Sequence, residues 1–71
     1  MSMSKEIWDI DGRQVEVRVT AYVSGRLPMF QFATKGARGW LMTNAHQGQA
    51  TAGQAQHESL LRFAIKQGAL A

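Results

Sequence analysis

Residues 13–23 alternate strictly between polar and apolar side chains, and this pattern constrains the fold more than any other feature of the sequence. Successive side chains of a β-strand point to opposite faces, so the alternation predicts a strand with one buried and one exposed face. The apolar members of the pattern are Val15, Val17, Val19, Ala21 and Val23.

A tight hairpin is predicted immediately before this strand. Asp11 and Gly12 form the dipeptide that suits a type I′ turn, because both central residues of that turn need a positive φ. The β-prone run at residues 7–10 supplies the other strand and brings Trp8 and Ile10 onto the valine face. The predicted pairs are Ile10 with Arg13 and Trp8 with Val15.

Two more strands are predicted, at residues 29–34 and 40–43, on either side of the glycine-containing segment 35–39. If this segment is a five-residue loop, Thr34 pairs with Trp40 and Phe32 with Met42. All four side chains then lie on the core side, and Leu41 points to the other face. The sheet is thus predicted to be a four-stranded antiparallel meander.

A single helix is predicted from about Ala52 to Gln67. Thr51 and Gln54 have the spacing of a capping box, Gly68 is a natural helix stop, and residues 44–50 are interpreted as a loop or a frayed helical turn. The apolar stripe of this helix consists of His57, Leu60, Leu61, Ala64 and Ile65, with Phe63 at its side. The expected fold is one α+β domain over residues 1–71, of ββββα order, with the C-terminal helix packed on one face of the sheet.

The chain is short for a free-standing domain, at 71 residues, and it contains no cysteine. Neither a disulfide nor a thiolate metal site can compensate for a small core, so association with a partner subunit would add stability. No secretory or membrane-spanning segment is apparent, and we expect a cytoplasmic protein that does not enter membranes.

The charge is unevenly distributed along the chain. Residues 1–16 carry two bases and four acids, whereas residues 17–57 carry four bases and no acid. A long stretch that carries bases and no carboxylate favours an anionic partner such as nucleic acid. Its bases, which are the candidate nucleic-acid contacts, are Arg18, Arg26, Lys35 and Arg38. A meander places Arg26 at the opposite end of the sheet from Lys35 and Arg38, which weakens this hypothesis.

The sequence offers little support for an enzyme. It has two histidines, His46 and His57, with no spacing typical of a metal site, and it lacks the Gly-x-Ser-x-Gly motif of many serine hydrolases. Segment 35–39 joins two strands and therefore does not resemble a phosphate-binding loop that opens a helix. We expect no catalytic residue, no metal and no cofactor.

The better-supported expectation is a binding module that acts through protein contacts, with a homodimer as one form of it. The sheet face away from the helix is predicted to expose apolar residues around a semi-polar centre, a composition typical of interfaces. The interface candidates are Ile7, Tyr22, Met29, Gln31 and Leu41. Strand addition at an exposed edge, residues 7–10 or 40–43, is a second route to association.

Overall fold

The structure is a computed structural model that describes residues 1–43 and 45–70. Five strands precede one helix along the chain. Their bounds are β1 Ser2–Ile10, β2 Arg13–Ser24, β3 Leu27–Gly36, β4 Gly39–Met42, β5 His46–Gln47 and α1 Ala50–Lys66.

The sheet is an antiparallel meander in the order β1-β2-β3-β4, as predicted, with α1 packed on one face. The short strand β5 also pairs with β3, at Met29 and Phe30, beyond the part of β3 that pairs with β4. This strand lies in the segment that we interpreted from the sequence as a loop or helical turn, and that interpretation is wrong for His46 and Gln47. Both β4 and β5 therefore occupy the outer edge of β3.

The β1–β2 hairpin has the predicted register. Ile10 pairs with Arg13 and Trp8 with Val15, and the turn residues Asp11 and Gly12 have φ values of 52° and 89°, as a type I′ turn requires. The first strand is longer than predicted because it begins at Ser2 instead of Ile7. The strand pairs with β2 along its whole length.

The predicted register of β4 is wrong by one residue. Thr34 pairs with Leu41 instead of Trp40, because the β3–β4 connection is a two-residue loop closed by the pair Gly36 and Gly39. A one-residue slip moves every side chain of a strand to the opposite face. Trp40 and Met42 therefore leave the core side, and Trp40 is exposed.

The core lies between α1 and the helix-facing side of the sheet. Its buried members from the sheet are Trp8, Ile10, Val15, Val17, Val19, Phe30 and Phe32, and Leu61 completes the cluster from α1. Partly buried Ile65 packs against this cluster, whereas Phe63 is exposed. Four residues that the sequence patterns place on the core side are exposed instead: Val23, Trp40, Met42 and Leu60.

The helix starts earlier than predicted and without the predicted cap. Its N-cap is Gln49, which makes no side-chain capping bond, and Thr51 and Gln54 lie inside the first turns. The Gln54 side chain donates to Glu58 one turn later instead of closing a capping box. At the other end Gly68, with φ 67°, follows the last helical residues as predicted.

Within residues 1–43 and 45–70, the structure contains no helix that is long and apolar enough to cross a membrane.

Candidate binding surface

The face of the sheet opposite α1 is covered by none of the described elements, and we call it the open face. Its membership follows from the strand register, because residues on one face of a sheet alternate along each strand. The open face consists of Met3, Lys5, Ile7, Asp9, Gln14, Glu16, Arg18, Thr20, Tyr22, Ser24, Leu27, Met29, Gln31, Ala33, Lys35, Trp40, Met42 and Gln47.

Large apolar side chains are concentrated on the open face. Met3 is 67% exposed, Ile7 62%, Trp40 47% and Met42 55%. Isolated exposed hydrophobic residues are ordinary, but these four share one uncovered sheet face, with Met3 and Ile7 on one edge strand and Trp40 and Met42 on the other. Tryptophan and methionine are also among the residues enriched in interfaces.

Arg18 and Trp40 contact each other on this face. The Arg18 guanidinium carbon lies 4.4 Å from the centre of the Trp40 ring, a cation–π distance. Arg18 pairs with Ala33, whose small side chain leaves room for the arginine to reach across β3 to β4. Its Nε is buried and makes no hydrogen bond to any described residue. The contact holds a cation and an indole ring together at one end of the face.

The predicted interface residues are placed as expected, with one exception. Ile7, Tyr22, Met29 and Gln31 lie on the open face, with Tyr22 and Met29 paired across β2 and β3. Leu41 is the exception: it pairs with Thr34 and therefore lies on the helix-facing side. The prediction that Leu41 lies on the open face is wrong because of the one-residue shift in register that also moves Trp40 and Met42 onto that face.

Gln31 links the open face to the segment after β4. Its side-chain nitrogen donates to the Thr43 carbonyl at 2.8 Å, and the Thr43 hydroxyl accepts from the Phe32 backbone N–H at 3.0 Å. These two hydrogen bonds hold Thr43 against β3, between the parts of β3 that pair with β4 and with β5. Gln31 thus has a structural role as well as a position on the face.

The four basic candidates do not form one patch. Arg18 and Lys35 line one cleft together with Trp40, and Arg38 lies in the β3–β4 loop at the same end of the sheet. Arg26 lies in the β2–β3 turn at the opposite end, as the meander predicts. Glu16 lines the same cleft as Arg18 and offsets part of its charge.

The aromatic component of this cleft was missed by the sequence reasoning. The sequence pattern predicts that Trp40 lies in the core, and it therefore predicts Tyr22 as the only aromatic residue on the open face. The sequence signal for the observed register is the pair Gly36 and Gly39, which can close a two-residue loop but is also compatible with the five-residue loop. An added Cβ at Gly36 would lie 2.7 Å from the Gly39 carbonyl oxygen, so the close approach of the two backbones requires glycine there.

A polar pair lies on the other side of the sheet, inside the core. His57 Nε2 lies 3.2 Å from the Thr34 hydroxyl, and both residues are buried. The His57 ring stacks on Phe32 with centroids 5.0 Å apart and meets Trp8 edge-on at 5.6 Å. Burial lowers the pKa of His57 from its ordinary value, because desolvation disfavours the charged imidazolium. This environment keeps the ring neutral and makes it a packing element of the core.

Among residues 1–43 and 45–70, no three histidine, aspartate or glutamate side chains come together as metal ligands. Comparison of the chain with protein-family models, with curated proteins and with solved structures found no match in any of the three.

Proposed function

We propose that this chain is a non-enzymatic binding module that acts through protein contacts of its open face, and that its partner is a second copy of itself. The observation that carries the proposal is the concentration of Met3, Ile7, Trp40 and Met42 on the one uncovered face of the sheet. Burial of these side chains against another surface would recover the hydrophobic free energy that the monomer leaves unused.

The charges on the open face also suit a copy of the same chain. The face carries both signs, with Lys5, Arg18 and Lys35 as bases and Asp9 and Glu16 as acids. In a two-fold dimer each surface patch meets itself, so a patch of mixed sign can place its acids opposite its bases. A strongly acidic or strongly basic partner would leave some of these charges unmatched.

The test is sedimentation of the unmodified chain over a wide concentration range, together with the variant Met42→Glu. The unmodified chain should associate as its concentration rises, and Met42→Glu should weaken this association because a carboxylate would be desolvated in the interface. Phe63→Glu is the matched control, because Phe63 is also exposed but lies on α1. A chain that stays monomeric at millimolar concentration, or equal effects of the two variants, would contradict the proposal.

Nucleic-acid binding is the second candidate, favoured by the cleft in which Arg18, Lys35 and Trp40 meet. Basic side chains can contact phosphates and an indole can stack on a base. Binding should then weaken steeply with salt, and Lys35→Ala should reduce the logarithmic salt slope by about one unit. Arg26→Ala is the control, since this residue lies at the far end of the sheet and should leave the slope unchanged. Absence of binding to single- or double-stranded nucleic acid at low salt removes this candidate.

A further inference from the structure

The long free edge of the sheet is β1. On one side β1 pairs with β2 through all nine of its residues, and no described element pairs with its other side. The opposite edge of the sheet is formed by β4 and β5, which are only four and two residues long. An edge as long as β1 presents a row of unpaired backbone groups that can accept another strand.

The hairpin geometry identifies which backbone groups of β1 are free. In a two-residue hairpin the pair next to the turn, Ile10 and Arg13, exchanges hydrogen bonds, and hydrogen-bonded pairs then recur at every second residue. The even-numbered residues of β1 thus bond to β2. The N–H and C=O groups that point outward belong to Met3, Lys5, Ile7 and Asp9.

The charges along the edge select one register for pairing with a second copy. A two-fold antiparallel pair centred on Ile7 places Lys5 of each chain opposite Asp9 of the other, which gives two reciprocal ion pairs. Centring on Lys5 would oppose two lysines, and centring on Glu6 would oppose two glutamates. Of these three registers, the one centred on Ile7 combines attraction between charged residues with apolar contact at the axis.

We propose that two copies of this chain join along β1 in antiparallel fashion, with Ile7 at the two-fold axis and Lys5 paired with the other chain's Asp9. The two meanders then form one continuous sheet of eight main strands, and their open faces lie side by side on the same surface. The inference rests on the proposed self-association and adds a second contact to it. Edge pairing and face packing use different surfaces and can operate together in a two-layer tetramer.

Backbone amide hydrogen exchange tests the register directly. Exchange at Lys5, Ile7 and Asp9 should slow as the chain concentration rises, because these amides point outward and become hydrogen-bonded only in the pair. The amides of Ser4, Glu6 and Trp8 serve as internal controls, since they bond to β2 in the monomer as well. If the outward amides exchange at the same rate from micromolar to millimolar concentration, the inference is wrong.

Charge reversal provides a second test that does not need the edge to be broken. Lys5→Asp makes positions 5 and 9 both acidic, and Asp9→Lys makes both basic, so each variant alone places like charges opposite each other. Each should dimerise about tenfold more weakly than the unmodified chain, and an equimolar mixture should restore the affinity as a heterodimer. Asp9 also accepts a hydrogen bond from the Gly12 N–H at 2.8 Å, so its replacement weakens the turn, but that loss cannot produce recovery on mixing. A mixture no tighter than its components refutes the register.

A third variant separates this inference from the proposed function. Ile7→Pro removes an outward N–H and is compatible with an edge strand, whereas Ile7→Thr keeps the N–H and is the control. Loss of dimer in Ile7→Pro alone supports the edge, and equal association of the two variants contradicts it. In Met42→Glu, concentration-dependent protection of Lys5, Ile7 and Asp9 should persist. If this protection persists, it supports pairing along β1 even where the proposed face contact is wrong. If the protection disappears in Met42→Glu, the proposed pairing along β1 is wrong.

Discussion

α1 approaches the sheet closely at Gly53, where an added methyl group would meet Phe30. Replacing Gly53 with alanine therefore tests how tightly the helix packs on the sheet. A Cβ at this position would lie 2.4 Å from Cε2 and 2.5 Å from Cζ of Phe30. Carbon atoms in contact normally lie about 3.5 to 4.0 Å apart, so the helix or the ring must move by about 1 Å. Phe30 is buried between Phe32 and His46, with centroids 5.4 and 5.8 Å away, and cannot turn aside freely.

Two effects of opposite sign decide the stability of Gly53→Ala. Helix propensity favours alanine by about 1 kcal/mol, whereas forcing an extra methyl group into a filled core costs about 1 to 3 kcal/mol. Because the clash is with a buried aromatic ring that cannot move aside, we expect the second effect to dominate and the free energy of unfolding to fall by up to about 2 kcal/mol. For a domain of this size each kcal/mol lowers Tm by about 4 to 8 °C.

The measurement is urea and thermal unfolding followed by circular dichroism. Ala55→Gly is the matched control, because it removes a methyl group from an exposed position of the same helix and should cost about 1 kcal/mol through propensity alone. If Gly53→Ala instead stabilises the protein by about the propensity difference, the close approach of α1 to Phe30 is refuted.

Three further outcomes are expected. Val17→Ala should lower the free energy of unfolding by about 1 to 3 kcal/mol, because Val17 is completely buried; an unchanged Tm would contradict its place in the core. Gly12→Ala should cost about 1 kcal/mol in the same unfolding assay, since φ at this position is 89°, and a neutral effect would argue against the type I′ turn. The lowered pKa of His57 gives stability that is fully present above pH 6.5 and is lost as the pH falls towards the folded-state pKa, because the unfolded chain takes up the proton first. Unfolding measured against pH should show this acid loss in the unmodified chain and in His46→Gln but a smaller loss in His57→Gln; an equal loss in both variants would exclude His57 as its source.

Much of the fold could be predicted because its information is local. Asp11 and Gly12 require the positive φ values of a type I′ turn, and the alternation from Arg13 onward assigns each side chain to a face. The turn and the alternation predict the same strand pairing, so only one register is compatible with both. The meander order and the packing of one helix on one face followed from short connections and from the apolar stripe of α1.

The candidate site was predicted only in part, because the positions of Trp40 and Met42 depend on the register of β4. Ile7, Tyr22, Met29 and Gln31 lie on strands whose faces are determined by the hairpin and the β2–β3 register. Trp40 and Met42 lie on a strand of four residues with too little alternation to define its own faces. The capping-box prediction failed for a related reason, since tertiary packing overrode a local preference at the start of α1.

What the sequence alone determined is therefore the β1–β2 hairpin, the class of the fold and the basic character of the chain. The register of β4 was decided by the tertiary structure. A two-residue and a five-residue loop are both compatible with the two glycines of segment 35–39, and they place Trp40 on opposite faces. Three contacts favour the observed register: Ala37 N–H donates to the Ala69 carbonyl at 2.8 Å, Thr43 N–H donates to the Phe32 carbonyl at 3.0 Å, and Arg18 covers the Trp40 ring. The first and the third of these contacts join the β3–β4 hairpin to other parts of the chain, so their free energy is available only when those parts have folded against it.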